Sequence, residues 1–315
     1  EISLGLVGSE MCIRDSYGLA AEIRALGEKE LYYRIRRGFD AVQAETQRSC
    51  ADFFNRFGYW GRLEPERGIY DEIELKELAL FEHLDEYVWL YEQLADYRSK
   101  KTLYGIINNW YAYDFKTTTQ TKEALYDDYF DLDLVHCGPD EVIVDLGAYT
   151  GDTVLSYIKN YGEDCYLRIY CYEIAPANFA KLQKNLAAYR DIDCRLKGVS
   201  DTEGRMRLED GVADGSANRL AEGEGEVEVT TLDADIEEPV TLIKADIEGA
   251  EQRALAGARR HILNDHPKLL ISVYHSNEDL WQIPRMILDI SRDYTLYLRH
   301  HGSPIYPTEI TLIAV

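Results

Sequence analysis

Apolar side chains recur along this chain at two different periods, and the change falls near residue 140. Up to about Lys122 the period is helical. Residues 20–57 place Leu31, Ile35, Phe39, Val42 and Phe53 amid charges. Residues 71–97 repeat Leu80, Leu84, Val88, Tyr91 and Ala95 at steps of three or four, with acidic residues opposite, which predicts one long amphipathic helix. Asp71 followed by Glu74 fits a capping box at its start. A further helix is expected over residues 103–115, with Ile106, Trp110 and Tyr113 on one face. An aromatic stripe at this spacing is more often core or subunit interface than ligand wall. Such helices beside another domain serve as a lid or a dimerisation element, so a homodimer through them is one expectation.

From Glu141 onward short apolar runs alternate with amphipathic stretches. Residues 141–145, 168–172, 240–246 and 267–275 read as buried parallel strands, with a further strand near 194–199. Helices are expected over residues 152–158, 176–189, 252–262 and 279–291, and residues 294–300 and 309–315 close as a terminal strand pair. This alternation predicts an α/β domain built on a parallel sheet.

Composition narrows the function. The chain has 315 residues, enough for two domains, and a net charge of −23. The parts before and after Pro139 are both acidic, so neither carries a basic excess for phosphates and nucleic acid is not expected as a partner. No apolar run reaches the roughly 18 to 20 residues of a membrane span. The six cysteines show neither C-x-x-C pairs nor zinc-finger spacing, which reads as reduced, mostly buried thiols in a cytoplasmic protein. Residues 1–16, EISLGLVGSEMCIRDS, resemble a translated sequencing adaptor rather than a secretory signal; they are set aside as an artefact, with the native amino terminus taken to lie elsewhere.

The candidate chemistry sits at strand ends. The first strand runs into Leu146-Gly147-Ala148-Tyr149-Thr150-Gly151 and then a helix, a turn whose backbone N–H groups point at a ligand. The second strand ends in Glu173, 26 residues beyond Gly147, where a carboxylate can accept from both ribose hydroxyls of an adenosine. A dinucleotide needs G-x-G-x-x-G; here the pattern is D-x-G-x-x-x-G, with Tyr149 where the second glycine would stand. That disfavours nicotinamide and flavin cofactors. S-adenosylmethionine carries no phosphate, and Asp145 suits its cationic end. A second constellation, Lys244-Ala-Asp246-Ile-Glu248-Gly-Ala-Glu251, ends the fourth strand, and His275 ends the fifth. Glu248 and Glu251 offer oxygen ligands to a hard cation, but acidic groups in a first helical turn more often serve the helix itself, and no metal is expected.

VIVDLGAYTGDT, IYCYEIAPANF, TTLD, KADIEGAE and PKLLISVYH together resemble the FkbM family of S-adenosylmethionine-dependent methyltransferases, over residues 126–315. YDDYFDLDL and the helices before it resemble a subgroup with an amino-terminal extension. The resemblance implies a Rossmann-like class I methyltransferase fold: a seven-stranded, mostly parallel sheet with an antiparallel last strand, preceded by a helical region at residues 17–125. It also implies O-methylation of a sugar, glycan or small metabolite.

On that reading Gly147 and Gly151 clear space for the methionine portion of the cofactor. Asp145 meets its amine or holds the loop amides, and Tyr149 covers the cofactor or meets substrate. Glu173 holds the ribose, while Val199 and Ser200 flank adenine. Asp246 orients the acceptor hydroxyl or the amine. His275 is the first candidate for the base and Asp246 the second. His300-His301 is expected at an exposed or edge position, and Trp281 either stacks on a sugar or belongs to the core. Substrate choice is expected in the Gly- and Glu-rich residues 203–226, which carry no readable code, and in the helical extension. The rival reading is a non-catalytic S-adenosylmethionine-binding or scaffold protein with a degenerate cofactor pocket and interaction helices.

Overall fold

The computed structural model describes residues 15–209, 218–221, 223 and 225–315. Cys12 and most of residues 1–16 therefore lie outside the described residues. The chain divides into two compact units: residues 1–124 with Val273–Trp281 and Thr295–Thr311, and residues 125–272 with Gln282–Tyr294 and Leu312–Val315. Among the described residues no helix is long and apolar enough to cross a membrane.

The first unit is mainly helical. Leu31, Ile35 and Phe39, spaced by four, are the buried positions of the helix Glu28–Asp40. A two-stranded ribbon, β1 (Leu63–Glu64) and β2 (Ile69–Tyr70), leads directly into the helix Asp71–Glu82. Asp71 is consequently already helical, and the expected capping box is absent: Tyr70 flanks the helix without a side-chain cap, and the Asp71 carboxylate takes Arg62 Nε at 2.8 Å. The single helix expected over 71–97 is in fact two, because His83 adopts φ −120° and ψ 16° between Asp71–Glu82 and Leu84–Gln93. The break keeps Leu80 buried on one side and Leu84, Tyr87 and Leu90 buried on the other. Asp96 then caps Tyr97–Ala112 by accepting from Ser99 N at 2.7 Å. The aromatic stripe on that helix is core: Trp110 meets Tyr87 edge-on, and Tyr113 packs against Phe39. Within this core Glu72 is ion-paired with Lys76 at 2.5 Å and accepts from the Tyr113 hydroxyl at 2.5 Å.

The α/β part matches the expected strand and helix order. A seven-stranded sheet runs in the order β12-β13-β11-β10-β3-β4-β5, comprising Leu296–His300, Ile310–Ala314, Lys268–Ser272, Leu242–Ala245, Val142–Leu146, Arg168–Tyr172 and Ile192–Arg195 respectively. The five strands from β11 to β5 are parallel neighbours. The order reverses between β3 and β10, the switch point beside which open α/β sheets bind ligands. The fold is thus the expected seven-stranded, mostly parallel sheet. His300 is buried although it ends the edge strand β12, while His301 is only partly covered.

Two details differ from expectation. Residues 194–199 are not one strand: β5 ends at Arg195, and β6 (Gly198–Val199) joins a separate four-stranded sheet. That sheet has the order β6-β9-β7-β8, with β7 Gly204–Glu209, β8 Arg219–Ala221 and β9 Val227–Thr230. Part of the stretch expected as an unreadable loop is therefore a hairpin. The helix expected over 252–262 is interrupted: Glu251–Ala256 and Arg259–Asn264 flank Gly257, whose backbone lies so close to Ser200 that a Cβ would stand 2.0 Å from its carbonyl oxygen.

Candidate cofactor site

Within the second unit, the ends of β3, β4, β6 and β10 open onto a cleft. Of the residues singled out from sequence, Gly147, Tyr149, Glu173, Val199, Asp246 and Glu248 line it. Ile174, Asn178, Lys197, Asn218 and Leu220 also line it and were not anticipated.

The glycine loop is fastened to the end of β4, since Gly147 N and Ala148 N both donate to Tyr172 O, at 3.0 and 2.9 Å. Gly147 has φ +76°, and a Cβ there would lie 1.9 Å from the Asp246 carbonyl oxygen. Gly147→Ala is expected to cost about 2 kcal/mol or more of stability, from the left-handed backbone and the collision together, as read by urea unfolding. Tyr149 and Glu248, with φ of 46° and 59°, bring the same left-handed conformation to both loops without glycine's freedom. Such backbone is retained where its surroundings hold it, commonly at functional sites.

Glu173 is held through both of its carboxylate oxygens. Its Oε2 accepts from Tyr149 N at 2.9 Å and its Oε1 from Ala175 N at 2.7 Å, so two loops are set by one carboxylate. Burial raises its pKa, against the opposing pull of the N–H groups of Ala175, Tyr149 and Ile174.

Asp145 is placed differently from the residue expected to meet an amine. It is 1% exposed and does not line the cleft; its Oδ1 lies 3.0 Å from Lys244 Nζ on the neighbouring strand, in register across β3 and β10. Lys244 also donates to the carbonyls of Gly147 at 3.0 Å and Leu146 at 3.3 Å. Burial works against the ammonium, but Asp145 and Asp246 outweigh it and raise the Lys244 pKa. Asp145 thus acts on the glycine loop through Lys244.

Gly151 also lies outside the cleft wall; with φ +89° it starts the helix Asp152–Tyr161, and a Cβ would press on Leu186 and Leu182. Ser200 likewise lies beside the cleft rather than in it, buried with its N bonded to Thr230 O and its hydroxyl to Asp201. Glu251 is buried and accepts from Ile247 N at 2.8 Å, tying the loop after β10 to the helix that follows. His275 and Trp281 belong to the first unit. His275 is 4% exposed and packs on Tyr274 and Tyr59, Trp281 lies against His83, and neither is part of the cleft wall.

The opposite wall comes from the small sheet. Gly198 is approached by Leu220, whose Cδ1 would stand 2.7 Å from a Cβ, so Leu220, Val199 and Ile174 form an apolar face beside the amide of Asn178. Leu220 was illegible because nothing in its neighbourhood shows strand periodicity. Among the described residues, the charged side chains of the wall are three carboxylates, Glu173, Asp246 and Glu248, against Lys197, which is itself held by Glu228 at 2.9 Å and Asp235 at 3.3 Å. This set suits a ligand with a diol, an apolar base and a cationic end, and suits a pyrophosphate poorly. The residues present fit S-adenosylmethionine.

A family model and one solved structure agree on the family. The methyltransferase FkbM domain matches residues 145–303, about half of the chain. The methyltransferase FkbM of Methylobacillus flagellatus KT superposes with a TM-score of 0.64 at 28% identity, over 75% of this chain and 60% of that one. The chain thus spans less than two thirds of that relative. Aeropyrum pernix fibrillarin with natively bound S-adenosyl-L-methionine is similar at 16% identity and TM-score 0.38, over 64% of this chain and 75% of that one. An rRNA methylase of Streptococcus thermophilus is similar at 12% identity and TM-score 0.38, over 56% and 87%. No curated protein matches. With half of its length matched by that domain, and a structural relative of the same name, the chain belongs to the FkbM methyltransferase family.

Proposed function

We propose that this chain is an S-adenosylmethionine-dependent O-methyltransferase whose acceptor is a hydroxyl of a glycan or small metabolite. The observation that carries the reading is Glu173: a buried carboxylate at the end of β4, with each oxygen aimed by a backbone N–H, on the wall of the cleft. A diol is the natural donor to such a group. The bound cofactor supplies an electrophilic methyl group. Glu173 binds ribose, Val199, Ile174 and Leu220 pack the base, and the loop at Gly147 admits the amino-acid portion. Asp246 faces the cationic end and accepts the acceptor's proton. Alignment of acceptor oxygen and methyl carbon is the main contribution such a site makes. An acceptor other than nucleic acid is supported by the net charge of −23.

The test is calorimetric titration of the full chain with S-adenosylmethionine across pH. Saturable binding is expected at neutral pH, weakening as acidification protonates Glu173. Because the pKa of that carboxyl is raised above its ordinary 4.5, the loss begins above the usual carboxylate range. The same shift acts in the opposite sense on the ligand-free fold. A carboxyl whose native pKa is raised favours the fold below its unfolded pKa, and that contribution disappears as pH rises through the native one. Absence of binding by the folded protein would leave the non-catalytic scaffold in front.

A further inference from the structure

Residues 126–134, ahead of the first strand of the parallel sheet, carry none of the roles above, yet they deliver a side chain to Asp246. Tyr129 is 8% exposed, and its hydroxyl donates to Asp246 Oδ2 at 2.8 Å. It lies 3.3 Å from Ser272 Oγ at the end of β11, and its ring is 5.3 Å from Lys244 Nζ. Tyr129 has φ +67°, a conformation costly for a bulky residue and sustained only where neighbours hold it.

The neighbours do so on both sides. Asp127 Oδ2 accepts from Lys159 at 2.7 Å, Asn160 at 3.1 Å and Ser156 at 3.2 Å, all on the helix that leaves the glycine loop. Phe130 packs edge-on against Tyr157 and Tyr161 of the same helix. Beyond it, the Asp131 carbonyl accepts from Val135 N at 2.8 Å and closes a turn. Tyr129 N itself donates to Asp128 Oδ1 at 2.9 Å. The segment is a clamp whose tip is the phenol.

We propose that Tyr129 is a positioning residue that fixes the plane of the Asp246 carboxylate, and so makes the cleft prefer a cationic sulfonium over the neutral thioether left after methyl transfer. A carboxylate on a short side chain has a broad torsional preference about its last bond, and a hydrogen bond to one oxygen removes that freedom. An oriented charge beside a developing or vanishing cation stabilises one state of the ligand more than the other. The proposal rests on the reading of the cleft as an S-adenosylmethionine site.

The experiment compares affinities of the full chain for S-adenosylmethionine and S-adenosylhomocysteine, which differ by one methyl group and one positive charge. In Tyr129→Phe the preference for the cation is expected to fall by about 3- to 10-fold, while affinity for S-adenosylhomocysteine stays within about twofold. Asp246→Asn is expected to reduce the preference at least as much, and the double variant no further than Asp246→Asn alone. Equal weakening of both ligands in Tyr129→Phe would mean a merely structural role and overturn the proposal. So would an unchanged preference in Asp246→Asn, which decides the matter even where Tyr129→Phe does not fold. A wild-type protein that binds neither ligand overturns the cofactor reading instead, and with it this proposal.

Discussion

Glu173→Ala is expected to lose S-adenosylmethionine binding altogether within the range of calorimetry, a fall of at least about 100-fold. A hydrogen bond to a charged group contributes about 1.5–3 kcal/mol, and a ribose diol makes two, so roughly 3–6 kcal/mol is removed. Each 1.4 kcal/mol is about tenfold in affinity. The carboxylate also orients Tyr149 N and Ala175 N, so its loss loosens the loops on either side of the ribose position. Glu173→Gln keeps an acceptor oxygen of the same reach and should fall between wild type and the alanine variant. Unchanged affinity in Glu173→Ala, with an unchanged thermal midpoint, would move the cofactor away from the end of β4.

Lys244→Met should destabilise the second unit strongly. It strands Asp145, 1% exposed, without its cation, and it removes the donor to the carbonyls of Leu146 and Gly147. Breaking a buried pair from one side typically costs about 3–5 kcal/mol, whereas replacing both partners by apolar groups is often neutral. Lys244→Met combined with Asp145→Leu should therefore recover much of the loss. Burial already raises the pKa of the Asp145 carboxyl, with Lys244 pulling the other way. Removing Lys244 pushes it further up. A raised native pKa favours the fold at low pH and disfavours it as pH climbs from the unfolded value through the native one. Urea unfolding should accordingly show the deficit of Lys244→Met growing between acid and neutral pH. A deficit below about 1 kcal/mol at neutral pH would contradict the assignment of this pair as a structural support of the glycine loop.

The central strands were legible because parallel strands covered on both faces carry near-continuous apolar runs. Asp145 and Lys244 stand inside two such runs, and the sequence shows each charge without showing that they face one another across adjacent strands. The same nonlocality hid the small sheet. Gly198 and Leu220 meet only after the chain turns back, and Arg219–Ala221 is too short to announce a period. His83 breaks a helix whose pattern runs through it unbroken, because tertiary packing on either side outweighs local periodicity. Of the cleft, Glu173, Val199 and Asp246 were legible at strand ends, since topology dictates where strand ends point, whereas Ser200 and His275, also expected at strand ends, lie off its wall. Tyr129 was not, because its relation to Asp246 depends on a clamp closed by Asp127, far along the chain from the strand it serves.

The two walls of the cleft rest on cores of very different size. One side is founded on the seven-stranded sheet, whose strands β3, β10 and β11 are buried throughout apart from the half-buried first residue of β11. The other stands on the sheet that holds Leu220, whose core cluster is Met206, Val227 and Val229, with Ile174, Leu208 and Leu220 partly covered beside it. Local opening free energies follow the apolar burial that must be undone, and units with little of it open alone. The wall that carries Leu220 is therefore expected to open at lower cost than the parallel sheet. On the proposed reading, the nucleoside enters and leaves by fluctuation of that wall while the parallel sheet and Glu173 stay folded.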